Sequence, residues 1–143
     1  MEFSITSAAI ATLISALTSA IVSIRLNRFN KKKHIDDQLD DILKIAIQYP
    51  YVESETFTLT WNQNKNSNNE QYLRYDLYCT LLFNYLSRVA DFYNYDKQAI
   101  EEYIALKDWV RLHKEYWLNP TSSYENIDGY DKRFRELINS YIK

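Results

Sequence analysis

Glycine, cysteine and histidine are nearly absent from this chain of 143 residues. Its single glycine excludes a phosphate-cradling P-loop and a dinucleotide-binding fingerprint, which both need several, and argues against a turn-rich β fold. Its single cysteine, Cys79, excludes an intrachain disulfide and a cysteine-based zinc site. His34 belongs to a basic cluster, and His113 has no carboxylate pair or ligand spacing near it in the sequence. We therefore expect no catalytic site, no metal site and no cofactor, and we do not expect an enzyme.

Charge is missing from the segment between Phe3 and Ile24, which is 22 residues long. At about 1.5 Å per residue such a helix spans the roughly 30 Å hydrocarbon layer of a bilayer. Five cations follow, and such a cluster marks the side that stays in the cytoplasm: Arg25, Arg28, Lys31, Lys32 and Lys33. We predict a transmembrane anchor at residues 1–26, with Met1 and Glu2 outside, and a cytosolic helical domain at residues 27–143.

Two other interpretations of the first segment remain. A secretory signal peptide would have cations before its apolar stretch and a cleavage site after it, whereas here the only early charge is Glu2. A helix lying in the membrane interface would carry a charged face, which this segment lacks.

Small residues recur at every fourth position of the predicted anchor, in two adjacent tracks. Small residues at this spacing let membrane helices approach closely, and their hydroxyls can bond across the interface. This pattern favours self-association of the chain over a lone anchor in which serine and threonine are simply tolerated. The tracks are Ala8, Thr12, Ala16 and Ala20, and Ala11, Ser15, Ser19 and Ser23.

The 110 residues from His34 to Lys143 suffice for one domain and carry a formal charge of 12 − 18 = −6. An acidic domain argues against DNA or long RNA as a partner, because both require a cationic face. The five preceding cations are suited to holding the topology and to touching anionic lipid heads.

Helical periodicity dominates the rest of the chain and predicts an all-α fold, with a cytosolic bundle of four or five helices. The first helix ends before Pro50, Asp96 caps another, and the stretch from Trp109 to Trp117 is helical. Residues 55–61 fit a strand or a short helix about equally. The central helix, 70–93, is expected to bury Leu73, Leu77, Leu81, Leu82, Tyr85, Leu86, Val89 and Phe92.

Cations scattered among aromatic residues are the candidate ligand site. A guanidinium suits phosphate and an aromatic face suits a base. Taken singly, each cation fits internal pairing better, as between Arg88 and Asp91, and the aromatics fit a core. The candidate ligand-binding residues are Arg74, Tyr78, Arg88, Arg111, His113, Lys114 and Trp117.

The C-terminal part of the chain resembles a loose group of short bacterial helical proteins with one membrane helix. The shared features are a central helix rich in tyrosine and leucine, a tryptophan-bearing helix, DWVRLHKEYW, and a closing helix, YDKRFRELINSYI. The size and layout are also similar to membrane-anchored effectors of CRISPR-associated antiviral systems. That resemblance implies a homo-oligomer in the bacterial inner membrane whose cytosolic domain binds a cyclic oligoadenylate messenger. The alternative is an anchored adaptor that binds a protein through its aromatic surface; an enzyme of unfamiliar type ranks third.

Overall fold

The computed structural model describes residues 2–64, 68–120 and 127–142, with side chains from residue 9 onward. It divides the chain into two compact units, residues 1–34 and 35–143. Seven α-helices and two 3₁₀ turns, with no strand, make up the described ranges. The all-α prediction is therefore confirmed, and residues 55–61 are helical. The sequence also predicts polar loops at 62–69 and 119–126; residues 62–64 belong to a helix instead, and residues 65–67 and 121–126 lie outside the described ranges.

The helices are short except for the first and third. They are α1 (Glu2–Gln48), α2 (Glu55–Asn64), α3 (Glu70–Phe92), α4 (Lys97–Tyr103), α5 (Leu106–Leu112), α6 (Lys114–Leu118) and α7 (Lys132–Ile142). One 3₁₀ turn, Pro50–Glu53, follows α1, and another, Ile127–Gly129, precedes α7.

The first unit is a helix whose described side chains, from Ala9 to His34, are all exposed. From Ala9 onward the helix is long and apolar enough to cross a membrane. Two of its large apolar side chains, Leu13 and Leu17, are each 64% exposed. The hydroxyl of Thr18 donates to the carbonyl of Ile14 at 2.8 Å, so it is satisfied within its own helix.

The second unit has an aromatic core. Phe83 packs against the rings of Tyr116 and Trp117 at centroid distances of 5.9 and 4.9 Å, and Trp61 packs against Tyr75 at 5.7 Å. Among the described residues of this unit, every aromatic side chain is buried or half-buried. The many tyrosines therefore build a core with their rings, and the hydroxyls of Tyr75, Tyr78 and Tyr116 among them have hydrogen-bond partners.

The buried face of α3 differs from the predicted one. Leu73, Leu77 and Leu81 are 49%, 70% and 38% exposed, so their expected burial was wrong. Leu82, Leu86 and Val89 are buried as expected. The helix carries two apolar faces, and the one with the bulkier aromatics turns inward because it buries more area. The inward aromatics are Tyr75, Tyr78, Phe83 and Tyr85.

Local polar contacts set several helix ends. The side chain of Asn69 accepts from the backbone N–H of Gln71 at 2.9 Å at the start of α3. Asp96 accepts from the N–H of Ala99 at 3.2 Å, which confirms its predicted role as a cap. Pro50 lacks an N–H and begins the turn that follows α1.

The reversal from α3 to α4 is made without glycine. Asn94 and Tyr95 adopt φ values of 51° and 62°, and the N–H of Tyr95 donates to the carbonyl of Ala90 at 2.7 Å. Left-handed backbone is tolerated by asparagine but is costly for a bulky residue such as tyrosine. The guanidinium of Arg133 lies 4.1 Å from the centre of the Tyr95 ring, a contact that helps to offset this cost.

Candidate functional site

A groove of about 610 Å³ lies among α2, α5, α6 and α7. Its walls carry two cations, Arg111 and Lys114, and two carboxylates, Glu55 and Asp108. Apolar side chains complete the lining: Leu59, Leu112, Tyr141 and Ile142. A volume of this size lies within the usual range for small-molecule sites.

The two cations lie three positions apart, on either side of a break in the helix that carries them. The sequence predicted a single helical stretch from Trp109 to Trp117, but α5 ends at Leu112 and α6 starts at Lys114. His113 lies at the junction with φ −103° and ψ 18°, and its N–H donates to the carbonyl of Trp109. A spacing of three positions puts side chains on one side of a helix, and across the break Arg111 and Lys114 still line one groove.

A buried polar cluster holds the junction in place. His113 is fully buried, and its Nδ1 lies 3.0 Å from the hydroxyl of Tyr75. Its Nε2 lies 3.3 Å from a carboxylate oxygen of Glu53, which also accepts a hydrogen bond from Tyr78. This cluster, Glu53, Tyr75, Tyr78, Cys79 and His113, links the turn after α1, the helix α3 and the α5–α6 junction.

The protonation states of the cluster follow from its burial. Burial alone would raise the pKa of Glu53, but the hydrogen bond and charge of His113 and the hydrogen bond from Tyr78 lower it below its usual value. Burial raises the pKa of Tyr75 and Tyr78. Both phenols are therefore neutral at physiological pH, while Glu53 is ionised.

A cysteine, a histidine and a carboxylate meet in this cluster, as they do in some nucleophilic enzymes. The Cys79 sulfur lies 3.8 Å from Nδ1 of His113. However, Cys79 has no exposed surface, and burial raises its pKa well above the usual value. A nucleophile must be the thiolate and must be reachable, so the arrangement supports the fold and not a thiol reaction. Among the residues that the structure describes, no three His, Cys, Asp or Glu side chains are arranged so that they could hold a metal ion.

Tyr141 contributes an aromatic ring to the wall of the groove. Burial, followed by a hydrogen bond to Glu101, raises the pKa of Tyr141 to about 12. Lys97 Nζ lies 5.3 Å from the centre of the Tyr141 ring. Tyr141 is therefore neutral at pH 7, and it offers the groove an aromatic ring.

The seven candidate ligand residues are distributed over several places. Arg111 and Lys114 share the groove, whereas Tyr78 and His113 belong to the buried cluster. Trp117 is 3% exposed and donates to Asn139 at 2.9 Å. The role of each in ligand binding stays a prediction, but these positions show that the seven do not line one pocket together.

The two remaining candidates lie on α3. The guanidinium carbon of Arg74 lies 3.9 Å from the centre of the Tyr49 ring, and the same group donates to Tyr51 and Glu70. Arg88 is exposed and pairs with no described residue, so its expected internal pairing with Asp91 does not form. Arg74 is committed within its own chain, and Arg88 is not.

Sequence reasoning missed six of the eight lining residues and the partners of His113. Leu59 and Tyr141 come from distant helices, and Glu53 is 60 positions from His113. Nothing in the local pattern around any of these residues indicates a shared site.

Compared with known proteins, the chain matches no family model, no curated protein and no solved structure.

Proposed function

We propose that this protein is a membrane-anchored sensor and effector of bacterial antiviral defence. Its C-terminal helical unit would bind an anionic nucleotide messenger of the cyclic oligoadenylate class. The observation that carries the proposal is the pair of cations, Arg111 and Lys114, on the wall of one groove. Neither forms an ion pair with a described residue, so both are available to a ligand.

The composition of the groove suits a nucleotide better than a simple anion. Arg111 and Lys114 are suited to phosphate oxygens, the guanidinium through two parallel hydrogen bonds. The Tyr141 ring and the adjacent leucines offer apolar surface to a base. Glu55 and Asp108 would repel a bare phosphate, but they can accept hydrogen bonds from ribose hydroxyls and from an adenine amino group.

The membrane-anchored part of the proposal rests on the first unit. Its helix is long and apolar enough to span a bilayer, and five exposed cations follow the uncharged segment. Under the positive-inside rule, residues 35–143 would lie in the cytoplasm beneath the inner membrane, where a nucleotide messenger is produced. The small-residue tracks of the anchor would then serve self-association.

Ligand binding would act on the membrane by changing how the copies assemble. A messenger shifts an assembly equilibrium only by the difference between its affinities for the two states. A cyclic oligonucleotide has repeated phosphates, so it can contact the grooves of more than one subunit. The effector step proposed here is therefore a change in the association of the membrane helices, which perturbs the bilayer.

The test is a calorimetric titration of the full chain in detergent micelles with a panel of cyclic nucleotides and cyclic oligoadenylates. One cyclic oligoadenylate should bind, and the Arg111→Ala/Lys114→Ala variant should weaken its binding by at least about a hundredfold, since each charged hydrogen bond contributes about 1.5–3 kcal/mol. Lys107→Ala, which removes an exposed α5 lysine outside the groove, is the matched control.

Three results would contradict the proposal. The first is the absence of binding by every member of the panel. The second is binding that the double variant leaves unchanged, which would place the ligand elsewhere. The third is recovery of one stoichiometric protein partner without small-molecule binding, which would favour the anchored adaptor.

A further inference from the structure

We propose that the exposed face of α3 is a homodimer interface, on which the helix packs antiparallel against α3 of a second copy of this chain. The proposal rests on three leucines, here called the leucine face: Leu73, Leu77 and Leu81. They are 49%, 70% and 38% exposed, on a helix whose opposite side is buried in the aromatic core. Apolar patches left uncovered on one side of a helix mark interaction sites.

The leucine face continues at both ends into residues of opposite charge. Glu70 precedes Leu73 by three positions, and Arg88 follows Leu81 by seven, so both lie on the same side of the helix. The Glu70 side chain is 80% exposed, although it also meets Arg74 of its own chain. Arg88 is exposed and has no ion-pair partner among the described residues.

The positions of these charges make α3 complementary to α3 of a second copy when the two helices run antiparallel. In an antiparallel pair centred on residue 79, position i faces position 158 − i, since 70 + 88 and 77 + 81 both equal 158. Glu70 then faces Arg88 of the second copy, and Leu77 faces Leu81 of the second copy. The contact is isologous, because every pair occurs twice about a two-fold axis.

A parallel pairing of the same helices is disfavoured by the same charges. It would set Glu70 against Glu70 and Arg88 against Arg88, and like charges across an interface are repulsive. The antiparallel arrangement also places the N-terminal end of each helix beside the C-terminal end of the other, which suits their dipoles. Charge complementarity therefore selects a second copy over a lipid surface, which offers no partner for Glu70.

Disulfide formation between two differently tagged full-length chains, co-expressed in membranes, tests the register. One chain carries Leu77→Cys and the other Leu81→Cys. The native Cys79 is fully buried and does not contribute. Under mild oxidation we expect a mixed 77–81 disulfide in high yield, and little linkage between chains that both carry Leu118→Cys, a leucine on α6 whose 53% exposure lies between those of Leu77 and Leu81.

Several outcomes would overturn the proposal. A 77–81 yield no higher than that of the Leu118→Cys pair would show that the membrane helices alone hold the copies together. Linkage of 77 to 77 in preference to 81 would show a parallel interface. Linkage of the leucine face to another protein would assign it to a different partner.

A charge exchange tests the complementarity by a separate readout, the dimer dissociation constant measured by energy transfer between labelled chains in nanodiscs. Arg88→Glu should weaken the dimer about tenfold, because two exposed ion pairs become like-charge contacts. Glu70→Arg/Arg88→Glu should restore it, since the exchanged charges again face each other. Equal weakening in the single and the double variant would contradict the proposed pairing.

Discussion

Large apolar side chains are exposed in both units of the molecule, but in different patterns. In the first unit most of them lie on one side of the helix, such as Ile10, Ile14 and Leu17, which are 58% to 64% exposed, and the remaining surface of the segment is small and uncharged. In α3 of the second unit they lie on one side only, opposite an aromatic core. A helix that is uncharged on all sides is suited to lipid, whereas a helix that is apolar on two opposite faces needs a core and a partner.

The largest expected effect comes from placing charge in the uncharged segment of α1. Leu13→Arg/Leu17→Arg introduces two arginines at the centre of the uncharged segment, at a cost of about 5–7 kcal/mol in total. The variant should leave the membrane fraction after alkaline extraction. Leu118→Arg, at a 53% exposed position in the second unit, should stay in the membrane with the wild type. Membrane retention of the double variant would show that this helix is not the anchor.

A second effect separates the core from the surface within the second unit. Leu82→Ala removes a fully buried side chain and should lower the free energy of unfolding by about 2–5 kcal/mol, through lost burial and a residual cavity. Leu118→Ala should change it by less than about 0.5 kcal/mol. Tryptophan fluorescence during denaturant unfolding in detergent micelles measures both. Similar losses in the two variants would contradict the burial described for α3.

The smallest effect tests the polar part of the core. Glu53→Gln should lower the free energy of unfolding by about 1–3 kcal/mol at pH 7, the range for hydrogen bonds to a charged group. The folded pKa of Glu53 lies below its usual 4.5, so its contribution is present above that pH and is lost as the pH falls through the folded pKa.

The same denaturation experiment, repeated from pH 7 to pH 3, measures that pH dependence. The difference between wild type and Glu53→Gln should shrink below about pH 4.5. Glu55→Gln, an exposed neighbour on α2, is the control and should show no such difference. A Glu53→Gln difference that persists unchanged at pH 3 would show that the carboxylate charge is not what stabilises the cluster.

The helical class and several boundaries could be predicted from the sequence because their causes are local. Asp96 caps α4 by accepting from the N–H of Ala99, three positions later in the chain. Pro50 stops α1 because proline has no N–H to continue the helix. The buried side of α3 was not predictable in the same way. Both sides of the helix have apolar residues at helical spacing, and only the competition for core volume decides which side turns inward.

The candidate site was harder to predict because it depends on contacts between distant segments. Arg111 and Lys114 were both predicted as candidate ligand residues, and their spacing of three positions puts them on one side of a helix. The opposite walls of their groove come from distant residues such as Leu59 and Tyr141, and the helix break at His113 is held by Glu53 and Tyr75. No periodicity connects residues 53, 75 and 113, so the arrangement became visible only with the fold.

The left-handed turn at Asn94 and Tyr95 has a consequence for engineering the stability of this protein. A chain with one glycine has few places where the backbone can reverse freely, and here two residues with side chains adopt positive φ values in succession. Glycine at position 94 would relieve that conformational cost while leaving the Tyr95 contact with Arg133 in place. This turn is thus a place where one substitution, Asn94→Gly, is expected to raise the free energy of unfolding.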